Sequence, residues 1–259
     1  MRLHFYKYQG AGNDFIIADN RDKQIHLSHQ QVAFLCDRHF GIGADGLMLL
    51  EPAAGYDFRM VYYNSDGNES TMCGNGGRCI AAFARKLGII HNETRFVAID
   101  GPHHATIDNQ DNVHLGMQDV HHIAFQDGFT VLNTGSPHYV VRVDDVDNID
   151  VFNRGRDIRN MEAYQPKGIN VNFVQDTGEA IKVRTYERGV ENETLSCGTG
   201  VTACAIATVQ KATGNFDRPV LTPGGRLRVS FKKTTPESAT EVVLTGPAEL
   251  VFEGYIDIE

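Results

Sequence analysis

A duplicated motif constrains the plan of this 259-residue chain more than any other feature. The sequence reads ESTMCGNGGRCI over 69–80 and ETLSCGTGVTACAI over 193–206. Each copy places a glutamate four residues before a cysteine, followed by Gly-x-Gly and a run of small residues typical of a helix. Cys73 and Cys197 lie 124 residues apart, which is close to half of the chain.

A second landmark repeats at nearly the same offset. The turn Gly12–Phe15 precedes the turn Gly135–Tyr139 by 123 to 124 residues. This period is far longer than the roughly 20–50 residues of a solenoid repeat. The sequence therefore predicts two similar α+β domains that face each other across a cleft. We assign residues 1–117 and 118–259 to them, and the last strand, about 248–259, is a candidate to complete the first domain.

Local patterns predict that strands predominate. Alternating apolar residues favour strands through most of both halves, and the tail after residue 219 is β-rich. Helices are expected after the cap Ser28, after each cysteine motif, to about Leu87 and Ala212, and near 148–163.

Composition excludes several classes of protein. The net charge of −9 is spread along the chain without a basic block, which argues against nucleic acid as a partner. No stretch approaches the roughly 18 apolar residues of a membrane span, and the first residues do not resemble a secretory signal. Five cysteines without scaffold spacing favour a reducing environment, so a cytoplasmic location is expected.

A cysteine before a helix has three ordinary explanations. A buried small residue suits a single copy, but two matched copies in a duplicated chain argue against it. A metal site is disfavoured because no two cysteines have zinc-ligand spacing, and Cys36 with His39 stands alone. A phosphate loop is disfavoured because no Gly-Lys-Ser/Thr follows. We therefore expect no metal and no cofactor.

Other polar or reactive stretches are interpreted as structural. Cys79 and Cys204 fall within apolar helical runs and are predicted to be core residues. The pairs His103-His104 and His121-His122 are predicted to lie on solvated faces, and GIGADG at 41–46 is predicted to be a plain turn.

The chemistry of a helix N-terminus suits an acid–base thiol. Its N–H groups and dipole stabilise a thiolate, and glycines let a substrate approach the backbone. Two such thiols suggest inversion, in which one removes a proton from a carbon and the other delivers one to the opposite face. If the carbon acid lies about ten pK units above the thiol, transfer is uphill by about 14 kcal/mol. A substrate carboxylate that becomes an enediolate must then be stabilised by backbone N–H groups.

Specific motifs resemble those of the diaminopimelate epimerase family across nearly the whole chain. They are the opening GAGNDF, the run NSDG followed by MCGNGGRC, the tetrad YERG and the stretch SCGTG, which begin at Gly10, Asn64, Met72, Tyr186 and Ser196. The resemblance implies two pseudo-symmetric domains, each a mostly antiparallel β-barrel-like sheet around a central helix. It also implies cofactor-independent interconversion of LL- and meso-diaminopimelate for lysine and peptidoglycan synthesis, and it is compatible with a homodimer.

The resemblance also assigns roles to individual residues. Cys73 and Cys197 are the two bases, and His138 and Glu187 orient the reacting centre. The remaining expected substrate contacts fall into two groups: backbone amides for the reacting carboxylate (Gly74, Asn75, Gly198 and Thr199) and side chains for the distal amino-acid end (Asn13, Asn64, Asn170 and Arg188). Asn68 and Ser136 depart from the family pattern, which has serine and asparagine there in many members.

Two other functions remain open at this point. A proline or hydroxyproline racemase has a similar second cysteine but no need for the distal clamp formed by Arg188 with Asn13 and Asn64. A non-catalytic amino-acid-binding or thiol-redox protein would bind ligand, or cycle a disulfide, without loss of the α-hydrogen. A disulfide between Cys73 and Cys197 is expected to be an inactive oxidised form.

Overall fold

The computed structural model describes residues 1–258 as a sheet-dominated α+β protein. The helices are α1 (His29–Cys36), α2 (Gly74–Lys86), α3 (Val151–Arg159) and α4 (Gly198–Thr208). The strands are β1 (Arg2–Gly10), β2 (Asn13–Asp19), β3 (Gly46–Glu51), β4 (Phe58–Asn64), β5 (Glu93–Ala98), β6 (Gly101–Ile107), β7 (Val113–Gly116), β8 (Ile123–Phe125), β9 (Phe129–Asn133), β10 (Pro137–Arg142), β11 (Asn170–Asp176), β12 (Ile181–Glu187), β13 (Asn192–Thr194), β14 (Gly214–Thr222), β15 (Gly225–Lys233), β16 (Thr240–Gly246) and β17 (Glu249–Asp257).

Contacts divide the chain into two compact units. Unit 1 comprises Met1–Leu115 and the segment from Gly246 onward, and unit 2 comprises Gly116–Thr245. Among residues 1–258, no helix is both long and apolar enough to cross a membrane.

Unit 1 is a mixed sheet in which neighbouring strands follow the chain, except at one edge. The strand order is β17-β1-β2-β3-β4-β5-β6-β7. The pairs β2–β3 and β4–β5 are parallel, and the others are antiparallel. Parallel neighbours need a crossover connection, and helices α1 and α2 occupy these two crossovers.

Unit 2 repeats this connectivity. The strand order is β8-β9-β10-β11-β12-β14-β15, followed by β16, with β13 folded back on β12. Here β10–β11 and β12–β14 are parallel, with α3 and the α4 segment in the crossovers. The α+β class with two pseudo-symmetric units is therefore confirmed, and the closure of each sheet into a barrel stays a prediction.

One helix in each unit is buried on nearly every side. Helix α2 packs on β1, β2, β3 and β6, and its residues from Gly74 to Ala81 are all buried. Helix α4 packs on β9, β10, β11, β12, β14 and β15, and its residues from Gly200 to Thr208 are all buried. Because both helices are rich in Gly and Ala, their backbones approach the strands closely. Each helix therefore presents its N-terminus from a rigid support.

Candidate active site

Cys73 is the N-cap residue of α2. Its backbone is extended, with φ −95° and ψ 135°, and its carbonyl accepts the first helical hydrogen bond, from Gly77 N at 2.7 Å. The N–H groups of Gly74 and Asn75 precede this first bond and have no acceptor within their own helix. The Cys73 thiol therefore lies at the positive end of the helix dipole, beside the two amides assigned to the reacting carboxylate.

The Asn13 side chain adjoins the Cys73 thiol. Asn13 Oδ1 lies 3.6 Å from Cys73 Sγ and accepts a hydrogen bond from Asn75 Nδ2 at 3.2 Å. Asn13 Nδ2 donates to Asp45 Oδ2 at 2.6 Å. Both ends of the amide are bonded, so its carbonyl oxygen is held toward the thiol. Asn13 thus lies beside the Cys73 thiol, and the distal role that the sequence resemblance assigned to it stays a prediction.

Asp45 belongs to a charged cluster that the sequence analysis missed. Arg38 Nη2 lies 2.7 Å from Asp45 Oδ1 and 2.8 Å from Asp14 Oδ1, and Lys7 Nζ lies 2.7 Å from Asp14 Oδ2. Burial raises the pKa of Asp14, but hydrogen bonds from Arg38 and Lys7 outweigh this and hold it at about 2. The GIGADG stretch at 41–46 is thus more than a plain turn, because it supplies the carboxylate that fixes Asn13.

Asn64 ends β4 at the sheet edge where β2 and β3 begin. The register pairs Phe15 with Gly46 and Gly46 with Asn64. The backbone of Asn64 closes a turn with Asn68, whose carbonyl accepts from Asn64 N at 2.9 Å. The side chain of Asn64 is exposed at this edge.

His103 is buried, so the prediction that it lies on a solvated face was wrong. His103 Nε2 lies 3.2 Å from Asp100 Oδ1, and that oxygen also accepts from Met72 N at 3.2 Å. Burial raises the pKa of Asp100, but the bonds from His103 and Met72 N outweigh this effect and hold the pKa below its usual value. His103 therefore helps to anchor the residue that precedes Cys73.

Cys197 occupies the equivalent place in unit 2. It is the N-cap of α4, with φ −112° and ψ 111°, and its carbonyl accepts from Val201 N at 2.8 Å. Its Sγ lies 3.5 Å from Thr199 Oγ1. Thr134 Oγ1 donates to Thr199 O at 2.8 Å, which ties the turn before β10 to the first turn of α4.

His138 is fully buried in unit 2 and neutral. Asn172 Nδ2 donates to His138 Nδ1 at 3.1 Å, so the ring proton is on Nε2. His138 Nε2 is buried without a hydrogen-bond partner among residues 1–258. Burial, followed by the positive charge of Arg188, lowers the pKa of His138 to about 3. The side chain therefore presents an unused N–H donor that stays neutral at physiological pH.

Asn172 fixes the His138 ring and was not among the predicted site residues. Its Nδ2 also donates to Tyr139 O at 3.2 Å, and its Oδ1 accepts from Thr185 Oγ1 at 3.0 Å. A sequence signal for Asn172 existed, because alternation along β11 puts it on the same face as Asn170.

The second glycine of the unit 2 motif packs against Asn172. A Cβ on Gly200 would fall well inside contact distance of Asn172 Oδ1 and 3.3 Å from Thr185 Oγ1. In unit 1, a Cβ on Gly76 would meet the flexible Met48 Sδ at 3.3 Å. These two glycines therefore permit close packing of the helix, whereas the sequence analysis related the motif glycines to substrate approach.

Two residues expected near the distal end of the substrate, Asn170 and Arg188, meet Ser136 at the edge formed by β10, β11 and β12. Asn170 Nδ2 donates to Ser136 Oγ at 2.9 Å, and Asn170 Oδ1 accepts from Arg188 N at 2.9 Å. Arg188 Nη2 also donates to Ser136 Oγ at 3.4 Å. Ser136, at a position that departs from the family pattern, is thus bonded directly to both predicted residues.

Glu187 ends β12 beside this cluster. Its Oε2 accepts from Thr194 Oγ1 at 3.0 Å, which fixes one carboxylate oxygen. The registers place His138 opposite Asn170 and Val171 opposite Tyr186, so Asn170 and Glu187 are neighbours across the sheet. Unit 2 thus brings together His138, Asn170, Glu187 and Arg188.

The chain matches the family model described as diaminopimelate epimerase over residues 5–123 and 130–251. It is 54% identical to the diaminopimelate epimerase of Flavobacterium psychrophilum, over 98% of this chain and 100% of the relative. It is 42% identical to that of Chlorobaculum tepidum, over 96% of this chain and 99% of the relative.

Solved structures share the fold at low sequence identity. A phenazine biosynthesis protein of the PhzF family from Bacillus anthracis matches with a TM-score of 0.76 at 13% identity, over 100% of both chains. A probable proline racemase from Agrobacterium radiobacter matches with a TM-score of 0.68 at 16% identity, over 99% of this chain and 93% of the other. At such identities, these likenesses concern the fold alone.

Proposed function

The chain belongs to the diaminopimelate epimerase family, and we propose that it interconverts LL-2,6-diaminopimelate and meso-diaminopimelate without a cofactor. The reaction would serve lysine and peptidoglycan synthesis. One observation carries the proposal beyond the sequence relationship: each of two pseudo-symmetric units places a cysteine at the N-cap of its buried helix. A single nucleophile would not need this duplication.

The proposed mechanism uses Cys73 and Cys197 as a pair of bases. The thiolate of one removes the α-proton and becomes a thiol, while the thiol of the other delivers its proton to the opposite face and becomes a thiolate. The substrate is inverted, and the enzyme is left with the reverse protonation pattern, ready for the reverse reaction. The mechanism requires both helix N-termini to reach one carbon, and this requirement is part of the proposal.

Backbone amides supply the stabilisation that the thiols lack. As the α-proton leaves, negative charge moves onto the substrate carboxylate. The N–H groups of Gly74, Asn75, Gly198 and Thr199 are placed at two helix N-termini, where dipole and donors favour an anion. Removal of one such donor in other enzymes costs on the order of 10²–10³ in rate.

His138 and Glu187 are proposed to orient the reacting centre. A neutral His138 offers its Nε2–H to a substrate oxygen, because Nδ1 accepts from Asn172 and the ring proton is therefore on Nε2. The carboxylate of Glu187, held by the bond from Thr194, is proposed to accept from the α-ammonium group.

The distal amino-acid end is proposed to bind Asn64, Asn170 and Arg188. A distal carboxylate suits the guanidinium of Arg188, and a distal ammonium suits amide oxygens. The bonds among Ser136, Asn170 and Arg188 support this assignment, because they hold the cation in place before substrate arrives. Asn13 is also proposed to act at the reacting end, given its 3.6 Å distance from Cys73 Sγ.

Exchange of the α-proton tests the proposal directly. Reduced protein is incubated with LL-diaminopimelate in deuterated water without added cofactor, and the reaction is followed by NMR. We expect deuterium at one centre together with formation of the meso isomer. Cys73→Ala and Cys197→Ala should each lose nearly all epimerisation, whereas Cys36→Ala removes a buried thiol outside the site and should retain it.

Two results would contradict parts of the proposal. Epimerisation that survives either motif substitution excludes the two-thiol mechanism. Turnover of free proline, but not of diaminopimelate, reassigns the substrate to the proline racemase class that shares the fold.

The assembly and location are proposed on the family resemblance alone. We propose a homodimer in the cytoplasm, with the small amino-acid substrate as the ligand. Sedimentation velocity tests the assembly, and a species with the mass of one 28.7 kDa chain at all concentrations would contradict it.

A further inference from the structure

Arg78 is a fully buried cation in the first turns of α2. Its side chain has 0% exposure, and among residues 1–258 no carboxylate lies within ion-pair distance of it. Its guanidinium instead donates to three neutral oxygens: Nη1 to Gly74 O at 3.2 Å, Nη2 to Asn75 Oδ1 at 3.1 Å and Nε to Pro247 O at 3.4 Å.

Structural packing alone explains this arrangement poorly. Burial lowers the pKa of Arg78, but a guanidinium remains protonated in proteins. A buried charge without a countercharge is costly, and an apolar side chain of similar volume would fill the same space without that cost. The space is tightly closed, since a Cβ on Gly10 would lie 3.3 Å from Arg78 Nη2. A fixed charge at this place therefore requires a functional explanation.

The bond to Gly74 O acts on the proposed carboxylate donors. The carbonyl of Gly74 and the N–H of Asn75 belong to one peptide group. A cation that bonds the carbonyl oxygen polarises this group and makes the N–H a stronger donor. The Asn75 N–H is one of the amides assigned above to the reacting carboxylate.

A second bond orients the side chains beside Cys73. Arg78 Nη2 takes Asn75 Oδ1, which leaves Asn75 Nδ2 to donate to Asn13 Oδ1 at 3.2 Å. Asn13 then donates to Asp45 at 2.6 Å. Hydrogen bonds thus run in one direction from Arg78 past the Cys73 thiol, and each polarises the next.

Unit 2 has a neutral counterpart of Arg78. Thr202 stands five residues after Cys197, as Arg78 stands five residues after Cys73. Thr202 Oγ1 donates to Gly198 O at 2.9 Å, and this side chain is also fully buried. The same carbonyl is therefore bonded in both units, by a charged donor in unit 1 and by an uncharged one in unit 2.

We propose that Arg78 is a positioning residue whose fixed charge strengthens the Asn75 N–H toward the reacting carboxylate, so that the helix end of unit 1 stabilises the developing anion more than that of unit 2. This inference rests on the proposed epimerase function. The charge acts mainly after proton loss, when the carboxylate gains charge, so its loss lowers kcat more than it raises KM.

The kinetic test compares three substitutions at one position. Arg78→Met keeps the volume and removes the charge, Arg78→Gln keeps donors without charge, and Arg78→Lys keeps the charge. We expect kcat for diaminopimelate to fall at least about tenfold in the Met and Gln variants, with KM changed less than about threefold. The Lys variant should retain more activity than the Gln variant.

Two controls separate charge from packing. Arg85→Met makes the same chemical change at the exposed end of the same helix and should leave kcat unchanged. Thr202→Val removes the equivalent bond in unit 2 and should reduce kcat less than Arg78→Met does. Thermal denaturation verifies that each variant is folded, and the Lys and Gln pair decides the question if Arg78→Met does not fold.

Two outcomes would overturn the inference. One is a folded Arg78→Met protein with the kcat of the parent, and the other is a Gln variant as active as the Lys variant.

A measurement without substrate distinguishes failure of this inference from failure of the proposed function. In labelled protein, the amide proton of Asn75 is expected to move upfield in Arg78→Met and Arg78→Gln, and less in Arg78→Lys. A parent protein that does not exchange the α-proton of diaminopimelate refutes the proposed function, whereas an unchanged Asn75 amide proton in Arg78→Met refutes the polarisation.

Discussion

Asp45 is not among the proposed substrate contacts, but its carboxylate fixes the side chain of Asn13 beside the Cys73 thiol. It accepts from Asn13 Nδ2 at 2.6 Å and is itself held by Arg38 at 2.7 Å. Asp45→Asn offers a group that can donate as well as accept, so Asn13 loses its single orientation beside the thiol. Because small misplacements in a site are costly, kcat/KM is expected to fall roughly 10–100-fold.

The control for Asp45 is an aspartate in an exposed ion pair. Asp111 lies 2.7 Å from Arg85, and exposed pairs of this kind contribute little to stability. Asp111→Asn should match the parent in steady-state kinetics. An Asp45→Asn protein with parental kcat/KM would show that Asn13 does not depend on this carboxylate.

His138 should leave a signature in the pH dependence of stability. Its pKa is about 3 in the folded protein and about 6.5 when unfolded, so below pH 6.5 the unfolded state binds more protons. The contribution of the neutral His138 to the free energy of unfolding is fully present above pH 6.5. It is lost as the pH falls toward 3, by up to about 1.4 kcal/mol per pH unit. Between pH 6.5 and 4.5, His138→Gln should therefore show a shallower loss of unfolding free energy.

The window above pH 4.5 separates His138 from the carboxylates. Asp14, with a pKa of about 2, loses its stabilising effect only as the pH falls from about 4 to 2. His121→Gln, at an exposed position, is the matched control, because its side chain stays in water on folding. Equal slopes in His138→Gln and the parent, measured by denaturant unfolding, would contradict a buried neutral imidazole.

At the residue scale, the sequence predicted the two N-cap cysteines but missed Asp45 and Asn172, which hold neighbouring site residues in place. The motif around Cys73 and Cys197 is local, so its position at two helix ends was readable. Asp45 lies 32 residues after Asn13 in the sequence, and Asn172 lies 34 residues after His138. Such pairs depend on strand register, which no local pattern of charges or amides specifies.

At the scale of elements, the two motif glycines differ in what they touch. Gly200→Ala would push a methyl group into Asn172, whose bonds fix His138, and is expected to destabilise by about 1–3 kcal/mol and to reduce activity. Gly76→Ala meets flexible methionine side chains, and the better helix propensity of alanine offsets part of the strain. Thermal denaturation and kcat of the two variants provide a matched comparison within one duplicated motif.

Equal losses of stability and activity in Gly200→Ala and Gly76→Ala would mean that Asn172 moves aside without disturbing His138.

Element prediction succeeded where apolar alternation was long and failed where strands were short. Helix α3 covers Val151–Arg159 within the broader span expected, and α4 ends at Thr208, four residues before the predicted end. Strands β8 and β13 were missed, because each has three residues and too few positions to show alternation. The β14 strand begins at Gly214, five residues before the start of the β-rich tail that the sequence predicted from residue 219.

At the scale of the whole molecule, unit 1 depends on a strand far away in sequence. β17 pairs with β1 along Arg2–Gln9, and Met1 and Ile258 exchange backbone hydrogen bonds. Truncation after Ala248 removes this partner and should strip hydrogen-exchange protection from β1 and β2. Amides of unit 2, such as those of β11, should remain protected, since its strands pair among themselves.

A point substitution in the same strand provides the control for this truncation. Val251 is exposed, and Val251→Thr leaves the backbone pairing intact. It is expected to preserve exchange protection throughout. Full protection of β1 in the truncated protein would show that β2 alone holds it.

The discontinuity of unit 1 also sets an order of events during synthesis on the ribosome. After β7 emerges, about 130 residues of unit 2 follow before the segment containing β17. At about 5–20 residues per second, the first-made unit waits on the order of ten seconds for its last strand. During that interval β1 has no outer neighbour, and an open strand edge is a site of mispairing between chains. The unit made second, which is continuous in sequence, is therefore the one that is complete first.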